Sequence, residues 1–254
     1  MEYSNFLSAG VNLAFSIFFG LGEKSVGEII YDAMKVTFEE TGVNVNLGIT
    51  LLIVPLAQAK WVSEGKPLRE SLRRVLRDLS VEDARWVYKT IRMISPGGLG
   101  KSSVGDVREE PKMTLLSAMK IASKWDSIAF EYSTDYKRTF EFVYPRLLKY
   151  RKNLKWELAI VQVFLELLAE VPDTLIARKY GNEVALSVSE RAREILQLGG
   201  IITEKGRKAL AEFDRELREG PKKLNPGATA DLIASGIMVY LLEAFETSKG
   251  GIAI

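Results

Sequence analysis

Cysteine and histidine are both missing from all 254 residues. That excludes disulfides, thiol nucleophiles, Ser-His-Asp triads and zinc sites built on Cys or His. A metal here has to be held by oxygen, which favours Mg²⁺ or Mn²⁺. The lack of Cys fits a cytoplasmic protein. An excess of one charge is missing too: 35 basic residues stand against 33 acidic ones, a net charge of +2. A nucleic-acid partner is therefore not expected. The longest apolar runs, residues 9–21 and 47–59, fall short of the roughly 18 residues a membrane span needs. The first run has only Glu2 as a charge before it, so the positive region of a signal peptide is absent. It is expected to be a buried central helix. Strand alternation never lasts more than a few residues, with 199–202 as its best instance. Neither a repeat nor a linker is evident. The expectation is a single all-α domain over 1–254, a multi-helix bundle with no membrane partner.

What is present reads as helix nearly throughout. Apolar residues recur at helical spacing over 6–19, 25–41, 46–62, 68–79, 81–94, 114–125, 126–132, 135–150, 156–171, 182–198, 204–217 and 228–245. Ser80 with Asp83 forms a capping-box pattern using Asp in place of Glu, and Pro55 predicts a kink. The tail from 249 to 254 is expected to fray or dock. Abundant Glu, Lys and Arg without Cys would suit a thermophile.

Three polar turns interrupt the helices. In Thr41-Gly42-Val43-Asn44-Val45-Asn46-Leu47-Gly48-Ile49, Gly42 permits a left-handed helix end, and Asn44 or Asn46 can cap the next helix. Such a start, with free backbone amides, is a seat for an anion. Ser95-Pro96-Gly97-Gly98-Leu99-Gly100-Lys101-Ser102-Ser103 is the second turn. It is not a P-loop: Ser95 stands where the first Gly belongs, and a helix rather than a strand precedes it. Gly98, Gly100 and Lys101 still suit phosphate contact. Asp106-Val107-Arg108-Glu109-Glu110-Pro111 follows, where Asp106 and Glu110 could anchor Mg²⁺ on a polyphosphate, although local evidence favours a solvated acidic turn. The third turn is Asn225-Pro226-Gly227-Ala228-Thr229-Ala230-Asp231. Asp173, with Arg178 one turn on, opens a further helix as an N-cap. Together the turns suggest a site for a phosphorylated ligand. Basic faces at 66–77, 146–155 and 215–223 read as solvated. The Leu/Arg faces at 68–79 and 147–158 would also serve a helical adaptor, and a homodimer is compatible with the chain.

Taken in order, these segments resemble the triphosphoribosyl-dephospho-CoA synthase family. Thr41 to Gly48 is similar to its Thr-Gly-x-Asn signature, and Leu51-Leu52-Ile53-Val54-Pro55-Leu56-Ala57 to the apolar continuation. Gly97 to Gly100, Asp106-Val107, Glu109-Glu110-Pro111 and Thr114-Leu115-Leu116 resemble the archaeal-type branch. Asp126-Ser127-Ile128-Ala129, Asp173 to Arg178, and Asn225-Pro226-Gly227 with Ala230-Asp231-Leu232 resemble later motifs. The resemblance implies an all-α transferase. The 2′-hydroxyl of 3′-dephospho-CoA would attack C1 of the ATP ribose, and adenine would leave. It implies ATP as substrate and Mg²⁺ on the triphosphate. Asp106, Asp173 and Asp231 would act in catalysis. Asn44, Asn46, Gly48, Gly98, Gly100, Lys101, Arg178, Asn225 and Gly227 would bind substrate, and Asp106 and Glu110 the metal. Gly105 stands where the family often has His, Leu47 where bacterial members have Lys, and Phe130 where Arg is expected. These departures motivate a second reading: a diverged, non-catalytic nucleotide- or cofactor-binding protein of the same fold.

Overall fold

Helix starts are written into the sequence as side-chain caps. Ser25 accepts the amide of Glu28, Thr114 that of Ser117, and Asp126 those of Ile128 and Ala129. Ser80 and Asp83 form the full reciprocal capping box. The computed structural model describes residues 3–96, 104–219 and 222–247, with side chains to 244. Among the described residues there are thirteen α-helices, one π-helical segment and no strand, so the all-α expectation holds. The chain divides into two compact units: the described parts of Met1–Tyr136 and Leu242–Ile254, and Lys137–Leu241.

The first unit contains α1 (Tyr3–Gly20), α2 (Val26–Thr41), α3 (Leu47–Trp61), α4 (Leu68–Asp78), α5 (Val81–Ile94), α6 (Leu115–Ala122) and α7 (Ser127–Ser133). Helix α2 is central and packs on α1, α3 and α5. Its Gly27 lies so close to α5 that an added Cβ would sit 2.5 Å from the Asp83 carbonyl oxygen. The Gly27 amide donates to Asp83 Oδ1 at 2.8 Å, while Oδ2 accepts from the Ser80 amide and hydroxyl. One buried carboxylate thus caps α5 and fixes α2 against it.

Pro55 lies inside α3 and offers no N–H, so the Leu51 carbonyl loses its helical donor. The buried Tyr132 hydroxyl replaces it at 2.6 Å, and the Tyr136 hydroxyl donates to the next carbonyl, Leu52, at 3.1 Å. Burial raises both phenols well above the ordinary tyrosine range. Tyr136 and Asp135 both have positive φ, 56° and 53°. Arg73 Nε holds the Asp135 carboxylate at 2.8 Å, and Arg69 Nε holds its carbonyl at 3.1 Å.

The second unit contains the π-helical segment Thr139–Val143, α8 (Tyr144–Arg151), α9 (Trp156–Glu170), α10 (Thr174–Tyr180), α11 (Asn182–Gln197), α12 (Glu204–Glu219) and most of α13 (Gly227–Thr247). Helix α11 packs on α9, α10 and α12 around Leu165, Leu168, Ile176, Val188, Ile195 and Phe213. The expected single helix over 135–150 is instead broken by the left-handed residues at 135–136, then widened to a π turn. Pro145 cannot donate, and the Tyr144 amide reaches back five residues to Thr139. The 199–202 stretch is a turn: Gly199 and Gly200 have positive φ, and the Ile201 amide donates to Gln162.

Two run-length expectations change. Helix α1 is not a buried central helix, because Phe15, Phe18 and Phe19 are exposed. Gly227–Ala244 has, by length and composition alone, the character of a membrane span, and 39% of it is buried within the fold. Asp231 interrupts that stretch, which hid it from a search for unbroken apolar runs.

Candidate functional site

The first polar turn is built as its glycine demands. Helix α2 ends at Gly42, with φ 68°, and the Gly42 amide donates to Phe38 at 2.8 Å. Thr41 Oγ1 donates to the Thr37 carbonyl at 2.7 Å. Asn44 Oδ1 accepts the Leu47 amide at 3.4 Å. Asn46 occupies the N-cap position of α3, but its side chain makes no cap bond. It is 6% exposed. Its Nδ2 lies 3.5 Å from the Ala9 carbonyl, and its Oδ1 has no partner among the described residues. Thr50 Oγ1, one turn further along α3, is also buried and without a partner. Leaving such an atom unsatisfied costs about 1–3 kcal/mol, so two of them one turn apart mark the start of α3 as unusual.

Gly48 and Ile49 occupy the second and third helical positions, where amides have no intrahelical acceptor. Gly48 places no side chain in front of them, and the first turn of α3 carries no acidic residue. The positive end of the helix dipole is therefore uncompensated. A phosphate oxygen could accept from these amides.

The second group is held by α5. Tyr88 Oη donates to the Gly105 carbonyl at 2.8 Å. Burial, then the charge of Asp106, push the Tyr88 phenol up. One turn on, Arg92 donates to the carbonyls of Val107 at 2.9 Å and Glu109 at 3.4 Å, and to the Glu110 carboxylate at 3.3 Å. Asp106 Oδ1 accepts the Arg108 amide at 2.9 Å and meets Arg108 Nε at 3.3 Å. Asp106 and Glu110 are thus engaged by different arginines. Among the described residues no three acidic side chains form a group suited to a metal. Gly98, Gly100 and Lys101 lie outside the described residues. Tyr88 and Arg92, which shape the 105–110 turn, were missed at the sequence level. Their polar ends at i and i+4 on one face of α5 were the available signal.

The remaining candidates lie in the second unit. Asp173 is 1% exposed. Its Oδ1 accepts the amides of Leu175 and Ile176 at 2.9 and 3.0 Å, and its Oδ2 accepts the Thr229 amide and hydroxyl, both at 2.8 Å. A single carboxylate therefore caps α10 and clamps it to the start of α13. Burial raises the Asp173 carboxyl, outweighing these four hydrogen bonds. Gly227 allows the close approach, since a Cβ there would sit 2.6 Å from Leu175 Cδ2. The Gly227 amide donates to the Asn225 carbonyl at 2.8 Å. Asp231 lies in the second turn of α13 and is half-buried, whereas Arg178 is exposed near the end of α10. Thr229 is the residue the sequence reading overlooked, a lone hydroxyl in an apolar helix start.

Fold and turns together define an all-helical protein whose helix α3 starts at a buried Asn46 that makes no cap bond. A family model described as ATP:dephospho-CoA triphosphoribosyl transferase (CitG) matches residues 1–249, and the chain belongs to that family. It is similar to the 2-(5''-triphosphoribosyl)-3'-dephosphocoenzyme-A synthase of Klebsiella pneumoniae, with 35% identity over 88 residues. That match covers 35% of this chain and 28% of the relative. The synthase of the same name from Escherichia fergusonii is 34% identical over 83 residues, 33% of this chain and 27% of that one. The chain thus matches little more than a quarter of the length of these curated relatives. A crystal structure from Archaeoglobus fulgidus, provisionally assigned as a triphosphoribosyl-dephospho-CoA synthase, superposes with a TM-score of 0.73 at 27% identity. It covers 93% of this chain and 98% of that one.

Proposed function

We propose that this protein transfers the triphosphoribosyl group of ATP to 3′-dephospho-CoA, or to a related acceptor, with loss of adenine. The observation that carries the reading is the start of α3: a buried N-cap Asn46 whose side chain caps neither the Gly48 nor the Ile49 amide and whose Oδ1 has no partner among the described residues. This is a receptor for phosphate oxygens in a chain whose family is described by a triphosphoribosyl transfer.

In the proposed step, the acceptor 2′-hydroxyl oxygen bonds to ribose C1 while the bond from C1 to adenine breaks. The hydroxyl gives up its proton to a base, and the purine takes up a proton as it leaves. Positive charge develops on the ribose, and a carboxylate such as Asp106 would stabilise it. With histidine absent, carboxylates are the groups left to accept the proton near neutral pH. Asp173, buried and fully hydrogen-bonded, serves as a positioning residue. Magnesium would shield the triphosphate charge. It would be held by the nucleotide's phosphates together with Asp106 or Glu110, since no group of three acidic side chains suited to a metal stands among the described residues.

The test is chromatography of adenine released from ATP, Mg²⁺ and 3′-dephospho-CoA. Adenine formation that falls roughly a hundredfold or more in Asp106→Asn supports the reading. ATP binding without any adenine favours the second reading, a non-catalytic nucleotide-binding protein. That alternative draws on the engagement of Asp106 and Asp173 in hydrogen bonds that hold the fold. Loss of both binding and release ends both readings.

A further inference from the structure

Helix α1 is amphipathic the wrong way round. The face it turns to its own unit is mostly small: Ala9 and Gly20 are buried there, with Leu13 as the one large apolar side chain among them. Asn12 on that side donates to Glu40 at 2.9 Å. Gly20 lies against Ile29, where a Cβ would come within 2.6 Å of Ile29 Cγ1. The bulky apolar residues point outward. Tyr3 is 77% exposed, Leu7 56%, Val11 53%, Phe15 58%, Phe18 75% and Phe19 68%. The outward rings already stack on one another, Phe15 on Phe19 at 6.2 Å and Phe18 edge-on to Phe19 at 5.1 Å. Trp61, also exposed, lies close to the end of α1, its indole 3.3 Å from where a Gly22 Cβ would be. A helix on a water-facing surface normally shows the opposite arrangement.

We infer that this face of α1 is the contact between two copies of the chain, paired about a two-fold axis. Three observations select a second copy. First, area: with about 150–250 Å² for each aromatic side chain, the patch amounts to about 900 Å². That exceeds the roughly 300–600 Å² of a monomer's largest apolar patch and meets the about 800 Å² per partner of a stable complex. Second, charge: none of the 18 residues of α1 is charged. At a two-fold axis a side chain meets its own copy, so any charge would oppose itself, and α1 has none to oppose. A helix lying on anionic lipid carries Lys or Arg beside its apolar face, and α1 lacks these as well. Third, shape: Tyr3, Leu7, Val11, Phe15 and Phe19 follow one another at intervals of four. They form one ridge of the kind that interlocks with an identical ridge in the commonest helix crossing.

The full chain is examined by light scattering behind size exclusion at micromolar concentration. The expected mass is twice 28.4 kDa. The double variant Val11→Glu with Phe15→Glu should run as a monomer, its association weakened roughly thirtyfold or more. Because the chain contains no cysteine, a second test avoids buried charge altogether. A single Phe15→Cys variant should oxidise to a covalent dimer, whereas Glu212→Cys on exposed α12 should not. A wild-type monomer overturns the inference, and so does a monomer that floats with anionic vesicles. A dimer that survives the double substitution and gives no cross-link at position 15 also overturns it, placing the contact elsewhere.

Discussion

Asn46 Oδ1 and Thr50 Oγ1 are buried oxygens without a partner among the described residues, and this separates a binding role from a structural one. Removing an unpartnered buried oxygen does not lower stability. Asn46→Ala should therefore leave the urea midpoint unchanged or slightly higher, while ATP affinity measured by calorimetry falls roughly tenfold. A matched fall in stability would assign Asn46 to the scaffold. Asp173 behaves oppositely. Asp173→Asn keeps one capping oxygen but presents an NH₂ to the Thr229 amide, and should cost about 2–3 kcal/mol in urea unfolding. The pH dependence follows from the sign of its shift. Its carboxyl is raised in the folded state, so the native protein holds that proton more tightly than the unfolded chain. Its contribution favours folding as pH falls through the interval between the ordinary aspartate value, 3.8, and the raised one. It is lost as pH rises through the same interval, the reverse of a salt-bridged aspartate. Subtracting the acid-unfolding curve of Asp173→Asn from that of wild type should isolate this slope, and a slope of the opposite sign would show a lowered carboxyl.

At the scale of elements, two contacts give sharp expectations. Tyr132→Phe strands the Leu51 carbonyl that Pro55 left without a donor, and should lower stability by about 1–3 kcal/mol. Gly27→Ala drives a methyl into the α5 backbone at Asp83, which no rotamer can relieve, and should cost about 1–3 kcal/mol or more. Thermal melts of both variants check these values. Helix positions were largely legible in the sequence because caps and spacing are local: Ser25, Ser80 with Asp83, Asp126 and Asp173 all cap where their pattern places them. What α1 faces was not legible, because periodicity reports that a helix has an apolar side and not what covers it. The break at 135–136 was hidden for a related reason. Nothing local marks Asp135 and Tyr136 as left-handed, and they are held there by Arg69 and Arg73, more than sixty residues away. The three polar turns could be found from composition, but the roles of Tyr88, Arg92 and Thr229 could not, since each acts through a contact distant in sequence.

Across the whole molecule, the missing histidine and cysteine set the chemistry. The side chains that ordinarily titrate between about pH 6 and 9 are absent. Stability should accordingly stay nearly flat over that range and be indifferent to reducing agents, as unfolding midpoints at several pH values would reveal. The candidate residues fall into both compact units, with Asn44, Asn46, Gly48, Asp106 and Glu110 in the first and Asp173, Arg178, Asn225, Gly227 and Asp231 in the second. The family match over residues 1–249 embraces both.

The Asp173 clamp has a kinetic side. Three backbone amides, those of Leu175, Ile176 and Thr229, share one carboxylate although 53 residues separate the last two. None of the three can be released to solvent by fraying its own helix end alone while the carboxylate stays in place. In deuterium oxide they should exchange as a set, with one common protection factor, and slower than the first-turn amides of any helix in the chain that lacks such an anchor.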